Sequence, residues 1–169
     1  MNYLNLFFKI LMNKILILLF FFGLNNAYSA SGEFSSSSVC DYNKSEINSN
    51  NKTIISIYFD CVSTVIKSNS DLFKVGDNSF VEILANIKKS SAGMDLQSFN
   101  TSTSFSNSDD KMFSQNVRKA GDVKKGGTGI STIVGGTGKY AGINGKCDYS
   151  VSYLPKNKIS SMQTCSFKK

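Results

Sequence analysis

The sequence predicts an all-β fold: a small antiparallel β-barrel of about seven or eight short strands, held by two disulfides. Three observations carry this. Residues 126–145 form a glycine-rich run with β-prone pieces between the glycines. The C-terminal segment reads as a hairpin whose apolar residues and cysteines share one face. Alternation of apolar and polar residues, broken by turn residues, recurs through much of the rest. The tally suits a barrel or a two-sheet sandwich.

Residues 1–29 read as a signal peptide. Lys9 and Lys14 supply positive charge, Ile15 to Leu24 is apolar apart from Gly23, and Ala27-Tyr28-Ser29 places small residues before a cleavage point after Ser29 or Ala30. Met12 offers a second start, because Met12-Asn13-Lys14 already precedes the apolar core. That core, about ten residues from Ile15, is short for a bilayer span. Residues 30–169 are then one secreted or periplasmic domain of about 140 residues, an ordinary single-domain size. No integral membrane segment is expected after cleavage. The +7 formal charge falls to +5 when Lys9 and Lys14 are removed.

Ser31 to Ser38 is polar and reads as a loose start. Thr53 to Lys67 is ordered. Ile55, Ile57, Phe59 and Cys61 alternate as in a half-buried strand, while Ile54, Ile57, Tyr58, Cys61 and Val65 also fit a helical stripe. Its β-branched and aromatic content favours the strand. Ser68 to Ser79 carries turn residues, including Gly76-Asp77-Asn78. Residues 79–89 are ambiguous. Ser79 and Glu82 form a capping box, and Phe80, Ile83, Leu84 and Ile87 lie at helical spacing. Val81, Ile83, Ala85 and Ile87 alternate equally well as a strand, which is the reading adopted. Phe99 to Phe105 alternates, Asn107 to Asp110 reads as a turn, and Met112 to Arg118 returns, a hairpin that places Phe105 near Phe113. Ala120 to Gly127 is expected to be loop.

Within the glycine-rich run, Ile130 to Val134 and Lys139-Tyr140 are β-prone pieces flanking a turn built on Gly135, Gly136, Gly138 and Gly142. Glycine reaches positive φ without a Cβ clash, so such a cluster marks sharp reversals. A phosphate-cradling loop is a poor fit. Gly138-Lys139 is followed by Tyr140 instead of a hydroxyl residue, Ile133 stands where the first glycine belongs, and strand-like sequence replaces the following helix.

The terminal hairpin is the most specific element. Tyr149 to Tyr153 and Ile159 to Phe167 are β-prone and are split by Pro155-Lys156-Asn157. A three-residue loop centred on Lys156 pairs residues symmetric about it, so Cys147 falls opposite Cys165, within disulfide reach. The same register puts Cys147, Tyr149, Val151, Tyr153, Ile159, Cys165 and Phe167 on one face, with Leu154 and Met162 as exceptions on the other. A one-residue slip would swap a strand's faces, so apolar pattern and cysteine opposition support the register independently. Four cysteines allow three connectivities. With Cys147–Cys165 chosen, Cys40 pairs with Cys61 across the loop at residues 48–51. Histidine is absent and there is no Cys-x-x-Cys, so a zinc site is not expected and no cofactor is implied.

The segment Ile133-Val134-Gly135-Gly136-Thr137-Gly138-Lys139-Tyr140-Ala141-Gly142-Ile143-Asn144-Gly145 resembles the signature of the allene oxide cyclase/dirigent-like β-barrel superfamily, and in particular small secreted bacterial members of it. The likeness extends from about Gly126 to Tyr153. It implies a calycin- or dirigent-like barrel in which the motif is architectural. None of the family's catalytic residues maps onto this chain.

Without histidine, serine–histidine and cysteine–histidine nucleophile systems are excluded. Asp60, Asp77, Glu82, Asp95, Asp109, Asp110, Asp122 and Asp148 are carboxylates by type only, with no partner at meaningful spacing, so no catalytic residue is assigned. Arg118-Lys119 and Lys124-Lys125 form the one local basic concentration, without the interleaved aromatics of a nucleic-acid module. Weak attraction to an anionic polysaccharide or lipid surface remains open. The expected function is a non-catalytic binding or structural module of the periplasm or extracellular space. Tyr149, Val151 and Tyr153 are the candidates to line a site for a small apolar ligand. The alternative is a cyclase- or isomerase-like enzyme acting on a hydrophobic small molecule.

Overall fold

The structure, a computed structural model, describes residues 30–49, 52–91, 93–106, 108–122 and 126–169. Residues 1–29, read above as a signal peptide, and the Lys124-Lys125 pair lie outside the described residues.

Eight strands run in chain order: β1 (Ser31–Ser49), β2 (Lys52–Ser68), β3 (Asn78–Ser90), β4 (Gly93–Phe105), β5 (Lys111–Asp122), β6 (Gly126–Gly136), β7 (Asn144–Leu154) and β8 (Lys158–Lys168). Each pairs antiparallel with the next, and β8 returns to β1, closing a barrel. The ambiguous residues 79–89 are strand. Their period-two face places Ser79, Val81, Ile83, Ala85 and Ile87 inward, and of the helical-stripe residues Phe80 and Leu84 stay exposed on the outside. Pairing on both edges with β2 and β4 overrides the capping-box signal.

The terminal hairpin has the expected register. Cys147 opposes Cys165, Tyr153 opposes Ile159, and the loop is Pro155 to Asn157, with Lys156 and Asn157 at positive φ. Cys147–Cys165 and Cys40–Cys61 are both disulfides, each bridging directly opposed residues. Leu154 and Met162 point outward and are exposed.

Several expectations need correction. Ser31 to Ser38 is not a loose start but the first half of β1, with Phe34, Ser36 and Ser38 buried. Its serines are small inward-facing residues at a seam closed by β8, which composition alone does not reveal. Gly126 to Gly129 is strand, not a reversal. The loop predicted over Ala120 to Gly127 shrinks because β5 runs to Asp122 and β6 begins at Gly126. Lys139-Tyr140 is not a strand. Gly138 to Tyr140 is a single 3₁₀ turn, entered with Gly138 at φ 51° and followed by Gly142 at φ 79°. Phe105 and Phe113 do not meet. Phe113 opposes Ser102 and faces outward, whereas Phe105 is buried inside.

The interior has two apolar ends. At one end Phe34, Val65, Phe105, Met112, Ile133, Ile143 and Phe167 gather around Phe73 and Tyr140, both fully buried. Phe73 comes from the β2–β3 connection and Tyr140 from the 3₁₀ turn, so two connections plug this end. Phe73 stacks on Phe34 at 4.0 Å and meets Phe167 edge-on at 4.9 Å. At the other end Cys40, Phe59, Cys61, Ala85 and Ile159 are buried, with Tyr42, Ile57, Phe99, Val151 and Tyr153 packed against them.

Candidate functional site

Between the two apolar ends lies a cavity of about 70 Å³. One part of its wall is aliphatic and aromatic: Phe59, Val81, Ile83, Val151 and Ile159. Another part is polar: Ser38, Thr101, Thr103, Ser114, Asn116, Ser131, Gln163 and Tyr149. The period-two rule places each of these inward, because every one occupies the same face of its strand as a buried neighbour. Two of the polar groups are held. Asn116 donates from Nδ2 to Thr101 Oγ1 at 2.7 Å and to the Phe99 carbonyl at 3.2 Å, and Gln163 donates to Ser36 Oγ at 3.0 Å.

Tyr149 stands apart. Its side chain is buried, at 9% exposure, and its hydroxyl has no hydrogen-bond partner among the described residues. Its ring meets Phe99 edge-on at 6.2 Å. In register it lies opposite Gly129, where a Cβ would overlap both the Tyr149 hydroxyl and the Val117 carbonyl. Gly127 does the same for the Arg118 guanidinium. The two β6 glycines therefore make the space into which Tyr149 and Arg118 fold. Burial pushes the Tyr149 pKa up from its ordinary value, and the nearby Arg118 charge only partly opposes that. At neutral pH Tyr149 is an uncharged donor and acceptor, and it is the one cavity-lining residue able to ionise.

Of the residues expected to line a site, Tyr149 and Val151 do so. Tyr153 is on the same inner face but nearer the open end, edge-on to Tyr42 at 6.2 Å and outside the cavity wall. The sequence reading missed Asn116, Gln163 and the inward serines and threonines. The signal was present in the alternation of Phe99, Thr101, Thr103 and Phe105, which assigns the threonines to the aromatic face.

The unplugged end is split. The β4–β5 ladder runs only from Asn100–Gln115 to Ser104–Lys111, and among the described residues no ladder joins 96–99 to 116–121. Both strands carry a bulge at this level: Gln97 is extra in the β3–β4 pairing, and Lys119 in the β5–β6 pairing. Bulges bend a strand and increase its twist, which turns the two edges apart. Phe99, Thr101 and Asn116 line the cavity at this level, and Asn116 bridges the two strands through its bonds to the Phe99 carbonyl and Thr101. The β8–β1 seam likewise stops at Asp41–Lys158, while the β1–β2 hairpin continues to Ser49–Lys52.

None of the described carboxylates lines the cavity. Asp60, Glu82, Asp95, Asp109 and Asp148 are exposed, and Asp77 and Asp110 serve the plugged end, accepting from the Lys74 and Lys139 amides. No cluster of three potential metal ligands occurs among the described residues. No described helix is long and apolar enough to cross a membrane. The outer faces of β7 and β8 carry Lys146, Asp148, Ser150, Ser152, Thr164 and Ser166, while Val39, Val62, Ile66, Phe80, Leu84 and Val117 are exposed on the outer faces of β1, β2, β3 and β5. Two disulfides suit an oxidising, exported environment. Compared with known proteins, the chain matches no family model, no curated protein and no solved structure.

Proposed function

We propose that this chain is an exported, non-catalytic binding barrel that holds a small amphiphilic ligand in its lumen. The observation that carries the reading is the Tyr149 hydroxyl, buried without a hydrogen-bond partner among the described residues in a cavity that is polar on one side and aliphatic on the other. A buried unpaired hydroxyl costs ~1–3 kcal/mol, and a ligand bearing a hydroxyl or carbonyl offsets that cost. The cavity is below the ~300–1,000 Å³ range of drug-sized sites, which restricts the occupant to a short chain or single ring unless the β4–β5 seam widens. A site lined by hydroxyls, amides and one neutral phenol binds and orients. It has no group poised to exchange protons near neutral pH. The competing cyclase- or isomerase-like reading needs an acid or base facing the lumen, and the described carboxylates face elsewhere. The likeness of residues 133–145 to the allene oxide cyclase/dirigent-like group agrees with a barrel whose glycine motif is architectural.

Titration of ¹⁵N-labelled protein with n-hexanol tests this. Saturable shifts centred on Tyr149, Thr101, Asn116 and Ser131 are expected. Absence of shifts up to the solubility limit, or shifts spread evenly over the outer face, would reject a lumen site.

A further inference from the structure

The outer face over β3, β4 and β5 carries a groove of about 430 Å³. That lies inside the ~300–1,000 Å³ range of small-molecule sites. Strand alternation builds it. β4 turns Thr101 and Thr103 inward, so Asn100, Ser102 and Ser104 face outward. The residues opposite them are larger. Leu84 and Gln115 flank Asn100, Glu82 and Phe113 flank Ser102, and Phe80 flanks Ser104 on the β3 side. β4 is therefore a floor of small polar side chains between taller walls, and Ser102 is half-buried although it faces out. Tyr58 and Val134 extend the two walls, and with Leu84 and Phe113 they are exposed apolar groups around that floor. The side chains of Asn100, Ser102 and Gln115 hydrogen-bond to nothing among the described residues. Asn86, the next outward residue of β3, is by contrast held by Ser56 and Ser98. Grooves of similar volume over β6, β7 and β8 present no exposed aromatic ring, since their Tyr149 and Phe167 are buried.

We propose that this groove binds an uncharged glycan, an extended chain of β-1,4-linked pyranose rings. A pyranose offers an apolar C–H face and a rim of hydroxyls that both donate and accept. The Phe113 and Tyr58 rings take the face, and the Asn100, Ser102 and Gln115 side chains take the rim. Charge selects a neutral ligand. The one ionised group in the lining, Glu82, already accepts from the Tyr58 hydroxyl at 2.8 Å. Beyond the lining the flanks carry opposite signs, Asp60 opposite Glu82 and Lys111 opposite Ser104. The floor argues against a second copy of this chain as occupant, because an apolar protein face laid on it would bury three polar side chains without partners. The outward residues from Asn100 to Ser104 span about 13 Å along one strand, a straight bed for a short oligosaccharide. A β-1,4 linkage keeps its chain straight, whereas an α-1,4 linkage coils it. The proposal goes beyond the lumen reading and does not depend on what the lumen holds.

Titration of the ¹⁵N-labelled protein with cellohexaose, with the β-1,4-linked hexamer of N-acetylglucosamine and with maltohexaose tests it. Saturable shifts of the Tyr58, Leu84, Asn100 and Phe113 amides are expected with at least one of the two β-linked hexamers and none with maltohexaose. Phe113→Ala removes one stacking face and lowers the affinity by about tenfold. Ser102→Val removes a floor hydroxyl, narrows the groove and lowers it as well. Both positions face outward, and an unchanged non-reducing disulfide map confirms that the variants fold. Four results would each overturn the proposal: no shifts with either β-linked hexamer up to its solubility limit, an equal response to maltohexaose, shifts confined to the lumen residues Tyr149 and Ser131, or full affinity in Phe113→Ala. Shifts of the groove residues with protein concentration alone, without sugar, would assign the face to self-association and overturn it too. Failure of the lumen reading is seen separately, in the n-hexanol titration.

Discussion

Replacing Tyr149 by Phe is expected to make the protein more stable and a poorer binder, a combination that a merely structural tyrosine would not show. The ring stays, so its edge contact with Phe99 and its place over Gly129 are kept. Only the hydroxyl is lost, and that hydroxyl is buried with no partner among the described residues. Removing an unsatisfied buried polar group returns at most ~1–3 kcal/mol. The lower part of that range, about 1 kcal/mol, is the expected gain. For a domain of this size that is a rise in Tm of about 3–4 °C. The ligand's hydrogen bond to the same oxygen is worth ~0.5–1.5 kcal/mol, so the n-hexanol midpoint moves to about two- to twelvefold higher concentration. Urea unfolding followed by circular dichroism measures the first quantity, and the ¹⁵N titration the second. A loss of stability of 1 kcal/mol or more would mean that the hydroxyl has a partner in solution. An unchanged hexanol midpoint would remove Tyr149 from the site. Either result refutes the reasoning.

Phe73→Ala opens the plugged end: Phe73 is fully buried and contacts Phe34, Phe105, Tyr140 and Phe167, so a loss of ~3–5 kcal/mol in urea unfolding is expected. A loss below 1 kcal/mol would show that the β2–β3 connection does not seat there. Gly129→Ala forces a methyl group against the Val117 carbonyl and the Tyr149 hydroxyl and is expected to cost ~1–3 kcal/mol, whereas Gly76→Ala is strained only by its positive φ and meets no atom nearby. Equal effects from the two substitutions would contradict the packing of Tyr149 across β6. Burial also raises the Tyr140 pKa above its ordinary 10.0, with the Asp77 and Asp110 charges adding to the shift. Its stabilising contribution is present in full below pH 10, where both states are protonated. It falls above pH 10, because the unfolded phenol ionises while the folded one does not. Tyr140→Phe should thus flatten the alkaline loss of stability by up to ~1.4 kcal/mol per pH unit above pH 10, and parallel curves for the two proteins would count against the burial.

How much was legible in advance varied by element. In the terminal hairpin, a proline-containing loop, two cysteines equidistant from Lys156 and a period-two apolar face all specify one register, and the structure has it. In β3 the local signals conflicted, since Ser79 and Glu82 cap a helix as readily as they alternate in a strand. Only pairing with β2 and β4 removes the conflict. In β6 the glycines suggested reversals. Gly127 and Gly129 are instead strand positions that leave room for Arg118 from β5 and Tyr149 from β7, and no one-dimensional pattern contains that information. The candidate site was half visible. Tyr149 and Val151 followed from the hairpin face, but Asn116, Gln163 and the inward hydroxyls read as surface residues, because serine and threonine carry no burial signal of their own.

The chain's own order of residues determined its cysteine partners and the inward face of its last hairpin. Those depend on contacts across a short loop, where loop length and side-chain alternation act over a few residues. Tertiary structure alone decided that β8 returns to β1, that Phe73 and Tyr140 stopper one end, and that β4 and β5 part at the other. These outcomes arise from twist accumulated over eight strands and from bulges on two distant ones. They place a neutral phenol in a half-polar cavity, and that juxtaposition, rather than any motif, is what makes the lumen a candidate binding site.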